Sequence, residues 1–139
     1  MNPGCGIILY KINKGEIIYL GLEAPPHLRE KNKGKWDLPK GIKDGNESDL
    51  GTAIRETWEE TGILLHGRDL SEETLTIGPL TMYYAQCPDH KIPKLSKNPE
   101  TGIQEHLSFK WMSSIELYAN CYAWLKPFVK WASSKIEGT

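Results

Sequence analysis

Apolar and polar residues along the chain fall into alternating extended and helical stretches. Cys5 to Lys11 is apolar and β-prone, and Glu16 to Glu23 repeats that character after Asn13, Lys14 and Gly15, a segment with turn chemistry. The two runs predict a hairpin. Between Pro25 and Lys35 stand two prolines, a glycine and Arg29, Lys31, Lys33 and Lys35, which predicts an irregular, locally basic loop. Trp36 to Leu38 suits a short strand, after which Pro39, Gly41 and Gly45 preclude regular structure until about Ser48. From Leu50 to Thr61 the residues Leu50, Ala53, Ile54 and Thr57 or Trp58 recur at helical spacing, and Gly62 stands where a glycine ends a helix. Leu75 to Gln86 is β-prone but interrupted by Gly78 and Pro79, so it predicts strands paired across a turn or bulge, with Tyr83 and Tyr84 on opposite faces. Pro88 to Gly102 reads as a long exposed loop. Glu105 to Trp111 predicts another strand. Ser113 and Glu116 have capping-box spacing ahead of a helical pattern that continues from Cys121 to Lys135 and should kink or restart at Pro127.

Composition narrows the class. With 139 residues, 39% of them apolar, the chain suits one domain spanning residues 1–139. A formal charge of -1, from 17 basic and 18 acidic residues, supplies no overall field toward nucleic acid or anionic lipid, so any basic patch must be local. No apolar run reaches the length of a membrane span, and the N-terminus lacks the order of a secretory signal, so the expected setting is cytoplasmic, without a membrane partner. Cys5, Cys87 and Cys121 show no ligand or disulfide spacing and are read as reduced thiols. His27, His66, His90 and His106 are scattered and are read as surface or structural residues, and the tryptophans mostly as core or interface. Repeats and heptads are absent, and no obligate protein partner is evident.

The chemistry concentrates on the helix from Leu50. Glu56, Glu59 and Glu60 lie three and four residues apart, on one face, where like charges repel by a few tenths of a kcal/mol per pair. A hard divalent cation would compensate, since magnesium prefers carboxylate oxygens and keeps waters for a phosphate-bearing ligand. A solvated acidic face, with Arg55 paired to Glu59, is the plainer alternative.

The whole segment GIKDGNESDLGTAIRETWEETGI decides between them, because it resembles the Nudix box, G-x5-E-x7-R-E-U-x-E-E-x-G-U with U aliphatic. Gly41, Glu47, Arg55, Glu56, Glu59, Glu60, Gly62 and Ile63 fall in register, and Thr57 departs at the first U position. The resemblance implies an α/β fold in which a mixed β-sheet is sandwiched between helices, and a Mg2+-dependent hydrolase of phosphoanhydride bonds in which Mn2+ can substitute. It implies that Glu56, Glu59 and Glu60 are metal ligands, that Gly41 offers its backbone carbonyl to a metal, and that Arg55 and Glu47 orient the glutamates. Bound metal would neutralise phosphate oxygens and activate a water for in-line attack on phosphorus, and the proton acceptor is a glutamate inside the box or outside it.

Residues outside the box bear on the substrate. WDLPKG, ending in Lys40 and Gly41, resembles the stretch found in asymmetric diadenosine tetraphosphate hydrolases and RNA 5'-pyrophosphohydrolases, and would bring Lys40 to a phosphate. EHLSFKW, from Glu105 to Trp111, resembles the E-H-x-x-x-x-W stretch of the same dinucleotide hydrolases, where the glutamate serves the metal site; a solvent-facing Glu105 is the alternative. Tyr83 stands where those enzymes carry an aromatic residue that stacks on a base, although sheet packing explains it equally well. Lys35 replaces the histidine that usually precedes the tryptophan, here Trp36, and can contact phosphate without reproducing an imidazole's protonation. A dinucleoside polyphosphate is therefore the expected substrate. A 5'-triphosphorylated RNA end, a nucleoside triphosphate, a nucleotide sugar and a noncatalytic nucleotide-binding module are the alternatives, in that order.

Overall fold

The computed structural model describes residues 2–98 and 101–139. The expected hairpin is present as β1 (Gly4–Asn13) and β2 (Glu16–Glu23), paired antiparallel from Tyr10 opposite Tyr19 to Asn13 opposite Glu16. Beyond Tyr10 the two strands part. Two short strands fill the gap: β3 (Trp36–Asp37) pairs with the end of β2, and β4 (Lys40–Ile42) pairs with Gly4–Gly6 of β1. Strand pairing of β4 was not expected where prolines and glycines dominate. It arises because the parted edge of β1 leaves backbone groups that need partners. The insertion is tight: a Cβ on Gly6 would lie 2.2 Å from the Pro39 carbonyl oxygen.

Two hairpin strands, β5 (Leu75–Ile77) and β6 (Leu80–Gln86), complete the other edge, with β6 running parallel to β1 from Gly4 opposite Leu80 to Tyr10 opposite Gln86. The last strand, β7 (Phe109–Met112), pairs with the outer edge of β2. The result is a mixed seven-stranded sheet, in keeping with the α/β expectation. Residues 105–108 do not join β7, contrary to the run predicted from Glu105. His106 is buried against Asp37, and Leu107 and Ser108 both bond the single residue Glu23 at the end of β2, so the regular ladder starts only at Phe109.

Helices cover both faces. The segment read as an irregular loop contains α1 (Pro26–Asn32): proline is compatible with a first helical turn, Arg29 ties back to Glu23 and to the Ala24 carbonyl, and Lys33 closes the helix in a left-handed conformation. The motif helix is α2 (Asp49–Thr61), capped by Ser48 and ended by Gly62 at φ 74°. Then come α3 (Ser114–Asn120), capped by Ser113, and α4 (Lys126–Glu137). The restart expected at Pro127 occurs earlier, at a short 3-10 turn over Ala123–Leu125, and Pro127 sits in the first turn of α4. Cys5, Ile7, Leu9, Leu20 and Leu22 face α2, whereas Ile8, Tyr19, Met82 and Met112 face Leu117, Phe128, Val129 and Ala132 of α3 and α4. With both faces covered, β1 reads as a continuous apolar run. Tyr84 packs edge-on against Trp131, on the face opposite Tyr83. All three thiols are buried and free. Among the described residues no helix is long and apolar enough to cross a membrane.

Part of the expected exposed loop is docked. The Lys94 N–H donates to the Thr61 carbonyl at 2.7 Å and the Ser96 hydroxyl to the Glu59 carbonyl at 2.9 Å, so residues 94–96 cap the end of α2. Positions 99–100 of that loop lie outside the described residues.

Thr57, the one departure from the motif, is fully buried under α2, and its hydroxyl has no hydrogen-bond partner among the described residues. An unpaired buried hydroxyl costs about 1–3 kcal/mol. Thr57→Val should therefore raise the urea midpoint at constant m-value; an unchanged or lower midpoint would show that the hydroxyl is satisfied in solution.

Candidate active site

The splay between β1 and β2 directs residues 40–42 across the charged face of α2. There a cleft of about 380 Å³ forms, lined by Lys40, Gly41, Ile42, Asp44, Arg55, Glu56, Glu59, Glu60, Leu95, Ser96, Asn98, Glu105 and His106. Both sides of the motif and the outlying Glu105 thus meet in one place.

Arg55 is the organising cation. Its Nε donates to Glu47 Oε2 at 2.7 Å, its Nη2 to Glu47 Oε1 and the Ile42 carbonyl at 3.0 Å each, and its Nη1 reaches Glu56 and Glu59 at 3.2 Å. One guanidinium therefore ties the loop, the first motif glutamate and two carboxylates of α2 together. Glu47 also accepts from the Thr52 hydroxyl and the Asp44 N–H, and with the Arg55 hydrogen bond foremost its carboxyl falls to about 2.

Glu56 and Glu60 experience the opposite environment. Burial first, then Glu59 and Glu105 against the opposing pull of Arg55, push the Glu56 carboxyl up to about 7. Burial and then Asp37 push Glu60 well above the carboxylate range, with Glu56 and Glu105 adding to the rise and Lys40 opposing it. A cation bound beside them would favour their ionised forms. One ligand atom each from Glu60, Glu105 and His106 lie within 4.8 Å of one another, and Glu56 and Glu59 line the same cleft. Oxygen-rich and acidic, this donor set could hold a hard divalent ion.

Gly41 is where it is because Glu56 is where it is. A Cβ at residue 41 would fall 1.7 Å from Glu56 Oε1.

Lys40 reaches the site differently from a free surface lysine. Its Nζ lies 3.1 Å from Asp37 Oδ1, 5.2 Å from the Trp124 ring and 5.9 Å from the Tyr122 ring, while its backbone N–H points to Glu60 Oε1 at 3.4 Å. The remaining sequence candidates lie elsewhere. Trp36 is only 5% exposed and belongs to the core beneath α3. Lys35 stacks over the Trp36 ring at 5.0 Å beside a second cleft with Glu23, Ser108 and Lys110. Tyr83 packs in the α2-side core and does not line the carboxylate cleft.

Sequence reading missed two participants. His106, taken as surface or structural, is buried, and its Nε2 is 3.0 Å from Asp37 Oδ2. Asp37 drew no attention. The signal available was an aspartate three residues before Lys40 in an otherwise apolar stretch, but its partner lies 69 positions away.

Two outcomes test this electrostatic picture. A Cβ at residue 41 meets the end of a flexible side chain, not backbone, so Gly41→Ala should keep nearly wild-type thermal stability while hydrolytic turnover falls at least about tenfold as Glu56 is displaced; an unchanged turnover number would show that Glu56 is not held at this distance. Between the ordinary glutamate value and about 7, the folded protein keeps a proton on Glu56 that the unfolded chain has lost, so rising pH withdraws stability. In chelator, the melting temperature should fall from pH 5 to 7.5, with Glu56 contributing on the order of 2 kcal/mol at about 1.4 kcal/mol per pKa unit, and Glu56→Gln should flatten the curve. Equal slopes for the two proteins would refute the assignment.

The sequence and the fold have known counterparts. The model of the NUDIX domain family matches residues 3–132. The asymmetrical bis(5'-nucleosyl)-tetraphosphatase of Mus musculus is 31% identical over 122 residues, which cover 78% of this chain and 76% of that protein, and the Rattus norvegicus enzyme is 32% identical over 124 residues with the same coverage. Among solved structures, a C. elegans Ap4A hydrolase binary complex superposes with a TM-score of 0.71 at 25% identity over 100% of both chains. The NUDIX domain of Shewanella oneidensis NrtR, complexed with ADP ribose, also reaches 0.71 at 16% identity, covering 98% of this chain and 88% of that one, and shares the fold alone. With the family model spanning nearly the whole chain and the motif's carboxylates gathered in one cleft, the chain belongs to the Nudix family and is a pyrophosphohydrolase.

Proposed function

We propose that the substrate is a dinucleoside polyphosphate such as diadenosine tetraphosphate and that hydrolysis depends on Mg2+, with Mn2+ as a substitute. The observation that carries this reading is the meeting of Glu105, from the stretch shared with dinucleotide hydrolases, with Glu60 of the motif. The activities named for the murine and rat relatives point the same way.

Glu56, Glu59, Glu60 and Glu105, with the Gly41 carbonyl, would hold the metal. When bound, it supplies charge neutralisation on the phosphates and acidity to the attacking water. Arg55 fixes the loop and the Glu56 and Glu59 carboxylates, and Glu47 fixes Arg55, so both act by orientation. A cleft glutamate freed of its proton accepts the proton of the attacking water as phosphorus is attacked in line, and a nucleotide leaves. Lys40 adds positive potential on the phosphate path. Lys35, Trp36 and Tyr83, which lie outside the cleft, take no part in this step. We also take residues 1–139 to act as one domain, a reading supported by two cores packed on opposite faces of one sheet.

The test is a substrate panel at equal Mg2+ with products separated by chromatography: diadenosine tetraphosphate, 5'-triphosphorylated RNA, an oxidised nucleoside triphosphate and a nucleotide sugar. The dinucleotide should turn over fastest, giving two unequal nucleotides. Excess chelator should abolish the activity, and Glu60→Gln should lower it by at least about a hundredfold with the fold intact. Faster cleavage of the RNA end would replace the substrate assignment, and full activity in chelator would overturn the metal dependence.

A further inference from the structure

Asp37 belongs to no motif carboxylate set, yet it is 7% exposed and every oxygen it has is engaged. Oδ1 accepts from the Leu38 N–H at 2.8 Å and from Lys40 Nζ at 3.1 Å, and Oδ2 lies 3.0 Å from His106 Nε2. The buried carboxylate thus joins two segments far apart in sequence. One is the wedge of β3 and β4, which delivers Lys40 and Gly41. The other is the irregular stretch that carries Glu105 beside His106.

Among the described residues, the other restraints near Glu105 come from the loop on its N-terminal side, through the bridge between Lys97 and Gln104 and through Asn98. Glu105 is exposed, and Asn98 Nδ2 donates to its carboxylate at 2.9 Å from the loop at 94–98. The backbone around it is in no strand, and the Leu107 N–H is bonded to the Glu23 carbonyl beyond it. Glu105 thus stands between two anchors: Gln104, which bridges antiparallel to Lys97, and His106, which alone of the two is buried and bonded to a carboxylate, that of Asp37. The bond also sets the imidazole: with the carboxylate accepting, Nε2 carries the proton, and Nδ1 is the nitrogen that keeps a lone pair in the neutral ring. A neutral residue at position 37 would release both partners at once.

We infer that Asp37 is a positioning residue which, through His106 and Lys40, sets the place of Glu105 in the metal site and of the Lys40 ammonium beside it. The inference rests on the metal-site reading given above. Groups that orient metal ligands in this manner typically change metal affinity or activity by 10- to 100-fold when removed. A purely structural Asp37 would instead lower stability and leave the metal and the substrate bound as before.

The test uses Asp37→Asn, which keeps the size of the side chain, alongside Glu105→Gln and the double variant. Mn2+ binding to the whole protein without substrate is measured by calorimetry, and turnover number, Michaelis constant and melting temperature are measured on the same samples. Asp37→Asn should weaken Mn2+ binding by about 10- to 100-fold, and the double variant should bind no more weakly than Glu105→Gln alone, because both act through one ligand. The Michaelis constant should also rise as Lys40 is released. Wild-type Mn2+ affinity in a folded Asp37→Asn protein, or independent multiplication of the two losses, would overturn the inference. If Asp37→Asn does not fold, His106→Gln breaks the same tie from its other end and enters the same cycle, with the same outcomes. Failure of the wild-type protein to cleave any dinucleotide, with Mn2+ binding and its dependence on Asp37 intact, would overturn the substrate reading and leave this inference standing.

Discussion

Crowding of negative charge in a partly buried cleft is the constraint on which this molecule turns. Asp37, Glu56, Glu59, Glu60 and Glu105 gather around Arg55 and Lys40, and burial of Glu56 and Glu60 raises the cost of ionising them further. At contact distance in low dielectric such repulsion would scatter the side chains if they were free to move. They are not free. Arg55 engages three glutamates and a loop carbonyl, Lys40 is held by Asp37, and the close approach of Gly41 leaves Glu56 its place. The scaffold thus stores an unmet demand for positive charge at the place where a phosphate-bearing substrate must be received.

The sheet supplies the rigidity for this. Because β1 and β2 part on the N-terminal side of Tyr10, the segment from Trp36 to Ile42 can be laminated between them and held by pairs on both sides. On one face α2 is packed by Leu50, Ala53 and Ile54, leaving its charged face toward the inserted segment. At the opposite face, α4 is secured from its end, where the buried Tyr19 hydroxyl donates to Glu137 at 2.5 Å. Both hands of the cleft therefore rest on elements with their own cores. The stretches that complete it, 94–98 and 101–106, are held by separate ties: the Lys94 N–H and the Ser96 hydroxyl to the end of α2, and the His106 ring to Asp37.

The roles of Asp37 and Lys40 illustrate how one group can serve structure and chemistry together. Burial alone would raise the Asp37 carboxyl, yet Lys40, His106 and the Leu38 N–H hold it below its ordinary range, so it stays charged inside the protein. Burial alone would lower Lys40, yet Asp37, Glu60 and Glu105 hold it charged as well. Each makes the other's ionisation affordable. The pair brings a fixed cation to the edge of the carboxylate cluster without exposing it as a long, freely rotating side chain.

The sequence by itself determined the strands of the hairpin, the motif helix with its Ser48 and Gly62 ends, and the reaction class. Those features depend on local periodicity and on residues within one short segment. It also marked Glu105, through a second stretch with its own spacing. Tertiary structure decided the rest. Helix α1 forms where loop composition suggested none because Leu28 packs against the core and Arg29 binds back to the end of β2, and β7 begins late because His106 is pulled toward Asp37. Trp36 carries an aromatic ring suited to a base, but its place in a strand that faces a buried layer puts it in the core, and Tyr83 is partly buried against the layer under α2, outside the carboxylate cleft. Asp37 and His106 were invisible as a pair because a hydrogen bond between residues 69 apart leaves no periodicity, and only the chain's closure around the sheet brings them within 3.0 Å.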